Sequence, residues 1–365
     1  MLRAIEEVSL ALPASLATGP VSATFTRTSA KPARAPPVVL LHGFDSSLLE
    51  FRRVMPTLEE RGLEAYALDI FGWGFSDTTA ATSVGIEAKR EHLYAFWATV
   101  LEKRPMVLAG VSLGAAVIID FYAAHPEAVH SVQLIDPQGF IDGAPPVPEA
   151  FARGGIRVLG SWPLRWVGNQ LSYYDAATYV NDDAVRVGLL HTRRPAWEDD
   201  SVQWLLGGGY SVSPLVPKLR GVPTSIVWGR QDEILPPKEY LPKFLEAVPD
   251  ATFRWIEACG HTPHLEQPAA LSDAIVAFAR GEALPGDATV AFPAAQSPLD
   301  AFNAFLDTPL LDTNKRGGPM EPFKAFAREE PETAQVVASA FALAFFVVLG
   351  RGAVGTLALV QAAAI

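Results

Sequence analysis

Apolar and polar positions along Ala4–Leu12 and Val21–Thr28 follow the pattern of strands, and the run Val38–His42 is apolar enough to be covered on both faces. Further strands are expected at Ala65–Asp69, Met106–Val111, Val132–Asp136, Thr224–Gly229 and Thr252–Ile256. Helical patterns fall between them at Leu48–Arg61, Ala88–Lys103, Leu113–Ala124 and Lys238–Val248, with a last helix at Ala269–Arg280. Near-continuous apolar strands that alternate with helices require a mostly parallel sheet with helices on both faces, a doubly wound α/β fold.

The stretch from Gly139 to about Pro217 interrupts that alternation. It carries Trp162, Trp166, Tyr173, Tyr174, Tyr179, Trp197, Trp204 and Tyr210 on helical patches with no obvious strand. An insertion of this kind between two core strands is expected to sit as a lid over one end of the sheet, with most of its aromatics doing ordinary packing. After the last helix, "GEALPGDATVAFPAAQSPLD" is rich in Pro, Gly and Ala and marks the end of the compact domain. The expected organisation is a domain over 1–284 with its lid at about 139–217, a linker over 285–332, and a hydrophobic helix over 333–365.

That final segment contains the uncharged run Val336–Gly350, and beyond Arg351 it continues "GAVGTLALVQAAAI". A bilayer core needs about 20 apolar residues, so a span has to include Arg351, at a cost of about 2.5–3.5 kcal/mol at mid-bilayer that the surrounding Leu, Phe and Val offset. A C-terminal membrane anchor is the expectation. The alternative is a helix packed on a membrane-protein partner or across the domain, and the mixed charges before the segment leave its orientation open.

Composition narrows the functional classes. The 365 residues are 49% hydrophobic and 19% charged, more apolar than the roughly 25% charged of average soluble chains, which favours contact with lipid. A formal charge of −11 and the absence of a Lys/Arg-rich run argue against nucleic acid as a partner. Cys259, the single cysteine, excludes an internal disulfide and a multi-cysteine metal site. The first 20 residues have neither a basic start with a long apolar core nor a Ser/Arg-rich character, so no targeting peptide is expected within this chain.

The candidate chemistry centres on Gly110-Val111-Ser112-Leu113-Gly114, between the strand "RPMVL" and the helix "LGAAVIIDFYAAH". A strand that turns sharply into a helix at Gly-x-Ser-x-Gly holds a serine on a strained elbow. A serine hydroxyl attacks at neutral pH only when a base takes its proton and a third group fixes the base's tautomer. "WGRQDEILPP" offers Asp232 and "EACGHTPHLEQP" offers His261, both in loops after strands. Asp136, which also ends a strand, and Glu233 are rivals for the acid, and His264 would share a face with His261 if that stretch were helical. The remaining histidines are expected to be structural, His42 by bracing its loop. An oxyanion would be met by the N–H of Leu113 and by that of Phe44 in "HGF". The turn "LDIFGWGFSD" is expected to be structural.

Taken in order, "HGF", "DIFGWGFSD", "GVSLG", "GRQDEILP" and "GHTPHLEQP" resemble the α/β-hydrolase superfamily from about Val38 to Arg280. The spacings agree, with 70 residues from 42 to 112, 120 from 112 to 232 and 29 from 232 to 261. The insertion, with "WEDDSVQWLLGGGY", is similar to that of plastid α/β-hydrolases of plants and algae. The resemblance implies the α/β-hydrolase fold, with Ser112 as nucleophile, Asp232 as acid and His261 as base, and no cofactor or metal. Epoxide hydrolases and haloalkane dehalogenases put an aspartate at the elbow, so Ser112 points instead to an acyl-enzyme. Ester, thioester, amide or carbon–carbon hydrolysis and acyl transfer all fit one triad. Carboxylester hydrolysis of a hydrophobic or lipid-like substrate, near a plastid membrane, is the first choice because the insertion is mostly apolar. A non-catalytic ligand receptor or membrane-complex subunit on the same fold is the other class to test.

Overall fold

The computed structural model describes residues 4–30, 35–143 and 147–284 and the backbone of 288–289. The expected linker (apart from those two residues) and the expected C-terminal hydrophobic helix lie outside the described residues. Among the described residues, no helix is long and apolar enough to cross a membrane.

The chain opens with β1 (Glu6–Leu10) and β2 (Val21–Arg27), an antiparallel pair at one edge. Then come β3 (Val38–Leu41), α1 (Val54–Glu60), β4 (Ala65–Leu68), α2 (Ile86–Thr99), β5 (Met106–Val111), α3 (Leu113–Ala124) and β6 (Val129–Ile135). A helical lid follows, made of α4 (Glu149–Leu159), α5 (Trp162–Ser172), α6 (Ala176–Tyr179), α7 (Asp182–Leu189) and α8 (Trp197–Leu206). The core resumes with β7 (Thr224–Gly229), α9 (Pro237–Ala247), β8 (Thr252–Ile256), α10 (Pro263–Glu266), α11 (Pro268–Arg280) and the short β9 (Ala288–Thr289).

Among the described residues, nine strands form one sheet in the order β1-β2-β4-β3-β5-β6-β7-β8-β9. From β4 to β8 all pairings are parallel, and the remaining pairings are antiparallel. Successive side chains of a strand point to opposite faces, and both faces are packed. Val39, Leu41, Leu108, Ile226 and Trp228 join one core with α2 and α3, while Val38, Leu40, Val107, Ala109 and Val227 join the other with α1 and α11. Each such fully buried aliphatic side chain is worth about 1.5–3 kcal/mol relative to exposure, which is why these strands read as unbroken apolar runs.

The helix expected over Leu48–Arg61 is divided into a 3-10 turn at Leu48–Arg52 and α1 from Val54. Pro56 fits this division: it is the third residue of α1, in the first turn, where its missing N–H would have had no intrahelical acceptor. The strand expected at Val132–Asp136 is β6, which starts at Val129 and stops at Ile135 because Asp136 takes a left-handed φ of 43°.

Candidate active site

Ser112 occupies the turn between β5 and α3 with φ 53° and ψ −118°, and its hydroxyl caps no backbone group of the helix. A non-glycine residue at positive φ is strained. Here Ile135 O accepts the Ser112 N–H at 2.9 Å, and Ser112 O accepts from Gln138 at 3.1 Å and Ala115 at 3.0 Å, so backbone bonds on both sides fix the turn. Gly114 permits the close approach behind it, since a Cβ there would sit 2.4 Å from Leu41 O. That approach brings the start of α3 against the loop after β3.

This loop carries His42, Gly43, Phe44 and Asp45. His42 is fully buried, and burial pushes its pKa down to about 3. Its Nδ1 donates to Gly43 O at 2.8 Å and its Nε2 accepts the Ile70 N–H at 3.0 Å, the bracing role expected of it. The Phe44 ring is wedged against Trp73 and Trp204 at centroid distances of 5.3 and 5.1 Å. Among the described residues no acceptor meets the N–H of Phe44 or of Leu113. Asp69 ties the glycine-rich turn to this loop, accepting from Leu48 N at 2.6 Å and Phe75 N at 2.7 Å, while burial pushes its pKa up to about 7.

Asp232 and His261 come together from the loops after β7 and β8. The His261 Nδ1–H donates to Asp232 Oδ2 at 2.8 Å. Trp228 Nε1 shares that oxygen at 3.1 Å, and the N–H groups of Ile234 and Leu235 meet Oδ1 at 2.8 and 2.9 Å. The His261 N–H is bound by Ser172 O at the end of α5, 2.7 Å away. Gly260 makes that contact possible, because a Cβ there would lie 2.4 Å from Ser172 O. Glu266 fastens the same junction, accepting from Gly260 N at 2.7 Å and from Asp175 N and Tyr174 N at 2.6 and 3.2 Å.

The rivals separate clearly. Glu233 is exposed. Asp136 is buried beside Asp232 and accepts the Gly229 N–H at 2.8 Å. His264 lies in α10, but His261 precedes that helix, so the two do not share a helical face. Asp136, Asp232 and His261 bring three ligand-type atoms within 4.8 Å of one another. With four N–H groups on Asp232 and the His261 Nδ1–H among them, this cluster is a hydrogen-bond network rather than an open metal site.

Ser112 and His261 line one cavity of about 250 Å³, bounded on the rim side by Phe44 and Leu49 and on the lid side by Leu159, Leu164 and Val187. Part of its wall is polar. Glu50 accepts the Gly43 N–H at 3.1 Å and lies 3.6 Å from His264 Nε2, and neither ring nitrogen of His264 has a hydrogen-bond partner. Burial pushes the Glu50 carboxyl up and the His264 imidazole down to about 3.

Asp45 is the group that sequence reasoning missed. It is fully buried at φ 46° and gathers three lid side chains: His191 Nε2 at 3.1 Å, Trp197 Nε1 at 2.7 Å and the Arg165 guanidinium, which also donates to Asp45 O at 3.0 Å. Burial opposes its charge, but Arg165, His191 and Trp197 outweigh it and hold the carboxyl well below the usual carboxylate range. The four residues are far apart in the chain and share no periodicity. The one local signal was an acidic residue directly after "HGF" in an otherwise apolar stretch.

A parallel sheet with a helical lid, a serine on a left-handed elbow and a hydrogen-bonded Asp–His pair after later strands define an α/β-hydrolase. Residues 38–274 match the profile of the alpha/beta hydrolase family, and the chain belongs to that family. It is similar to the alpha/beta hydrolase domain-containing protein VTE7 of Arabidopsis thaliana, 39% identical over 67% of this chain and 74% of that protein. It is also 27% identical to a 2-hydroxy-6-oxo-6-(2'-aminophenyl)hexa-2,4-dienoic acid hydrolase of Metapseudomonas resinovorans, over 66% of this chain and 83% of that one. Among solved structures, the fold matches a thermophilic esterase from Thermogutta terrifontis with a TM-score of 0.60 and 21% identity, over 76% of this chain and 98% of that one. These relatives support a hydrolase.

Proposed function

We propose that the protein is a serine hydrolase that works through an acyl-enzyme and cleaves carboxylic esters with a hydrophobic acyl or alcohol group. The observation that carries this reading is the 2.8 Å bond from His261 Nδ1 to Asp232, made by an imidazole that lines the same cavity as the strained Ser112. With Nδ1 committed to Asp232, Nε2 is the basic nitrogen, free to take the Ser112 hydroxyl proton as Oγ adds to the ester carbonyl. The Phe44 and Leu113 N–H groups, which have no internal acceptor, serve the oxyanion. His261 then returns the proton to the departing alkoxide, and a water repeats the sequence on the acyl-enzyme. A cavity of about 250 Å³ lies just below the ~300–1,000 Å³ of typical ligand sites, so with the lid as described it suits short or medium acyl groups, and longer ones require α5 or α7 to move. Labelling by a fluorophosphonate, followed by a p-nitrophenyl ester series of rising chain length, tests the reading. Wild type should label and turn over, and Ser112→Ala should do neither; ligand-induced thermal stabilisation without turnover would favour a receptor.

Carbon–carbon bond hydrolysis with the same residues is the second reading. It is favoured by the 27% identity to the dienoic acid hydrolase and by the polar wall at Glu50 and His264. Attachment to a membrane, in a plastid, is a further proposal. It is supported by the uncharged run Val336–Gly350 and by the likeness to plastid hydrolases and to the Arabidopsis protein. Release of the full chain from membranes by carbonate would sink it.

A further inference from the structure

Asp136 is left without a task by the triad. It is fully buried, its N–H is bound by Val227 O at 2.9 Å, and its Oδ1 accepts the Gly229 N–H at 2.8 Å. Its Oδ2 is buried and meets no N–H donor. Asp232, close by, has the opposite condition, because its two oxygens already receive four N–H groups. Two carboxylates this close and out of contact with water cannot both carry charge. The donors all favour the anion at Asp232, and the oxygen without a donor belongs to Asp136, so the proton belongs there.

We propose that Asp136 is a neutral carboxylic acid whose Oδ2–H donates to Asp232, and that it positions the Asp232 carboxylate for His261. This rests on the triad reading for its catalytic consequence, though not for its charge state. The ionisable groups that face Asp136 are Asp232, His261, Cys259 and Glu266. Burial pushes its pKa far above the ordinary carboxylate value, Asp232 and Glu266 add to that, and the Gly229 N–H opposes it.

Asp136→Asn keeps the shape, the acceptor and a donor toward Asp232. It should leave kcat/KM on a p-nitrophenyl ester within about threefold of wild type and the acidic limb of its pH profile in place, whereas Asp136→Ala should lose about tenfold or more in kcat with KM little changed. A downward shift of the acidic limb in Asp136→Asn by a pH unit or more overturns the proposal, since it means a negative charge was removed from beside His261. Thermal melts supply a readout that needs no activity. An acid that stays protonated when folded but ionises near pH 3.9 when unfolded makes wild type lose stability, about tenfold in the folding equilibrium per pH unit, as the pH rises above that value. The Tm of Asp136→Asn minus that of wild type should therefore grow from about pH 4 to pH 8, and a flat or shrinking difference overturns the proposal. Should the variant not fold, the infrared spectrum of wild type at about pH 9, above the range where Asp69 titrates, decides: a protonated-carboxyl C=O stretch supports the proposal and its absence overturns it. If wild type itself hydrolyses no ester, the triad reading fails, while the melts and the infrared band still judge Asp136.

Discussion

Two walls meet at the cavity, and they are held in different ways. On the sheet rim, Ser112 is fixed by backbone hydrogen bonds and the approach that Gly114 allows, and Asp232 by two backbone and two ring N–H groups. On the lid side, Arg165, His191 and Trp197 converge on the one carboxylate of Asp45. Backbone-held geometry survives most side-chain replacements. The part of the lid that leans on the buried Asp45 anion does not, because removing the anion leaves Arg165 and His191 without their charged partner. Chemistry should therefore depend on the rim, and stability and lid closure on Asp45.

The comparison can be broken most decisively at the rim. Ser112→Ala should lower kcat by about 10⁴-fold or more with little change in melting temperature; activity that survives would remove the rim from the chemistry. On the lid side the largest effect is Asp45→Ala, expected to cost about 3–5 kcal/mol by leaving Arg165 unpaired and to speed proteolytic nicking of α4–α7. Its pH dependence has a definite sign. Because the folded carboxyl titrates below its unfolded value near 3.9, the contribution is complete above about pH 4 and is lost as pH falls through the folded value. Chemical denaturation should thus show the gap between wild type and Asp45→Ala closing on acidification, and a constant gap contradicts the charged hub. Arg165→Met, at a side chain 15% exposed, should cost about 1–3 kcal/mol, less than the loss of Asp45, and raise KM more than it lowers kcat. The smallest effect belongs to Trp197→Phe, about 1 kcal/mol for one hydrogen bond; a double-mutant cycle with Asp45→Ala should show that the two losses do not add.

The core of the fold was legible because each parallel strand is covered on both faces and so must be apolar throughout. β5, β7, β8 and α3 fall at the expected residues. β1 was legible for another reason: as an edge strand it buries alternate residues. The division at Arg53 fits Pro56, which was overlooked. At the candidate site, Ser112, Asp232 and His261 stood out as candidates because each lies just beyond a readable strand, and the structure brings the last two into contact. The Asp45 hub was not readable, since contacts between residues 45, 165, 191 and 197 exist only once the lid has folded over the rim. Asp136 was visible only as a rival to Asp232, because a sequence shows that two acids are present and not that they share a buried space.

The bond from the His261 N–H to Ser172 O joins the residue proposed as the base to the last turn of α5. A guest wide enough to lever that helix outward pulls on the strap that steadies the imidazole. If His261 is the base, admission and competence would be mechanically linked: a molecule that fits beneath α5 would find the apparatus taut, and one that forces its way in would slacken it, a selection by girth without any dedicated filter.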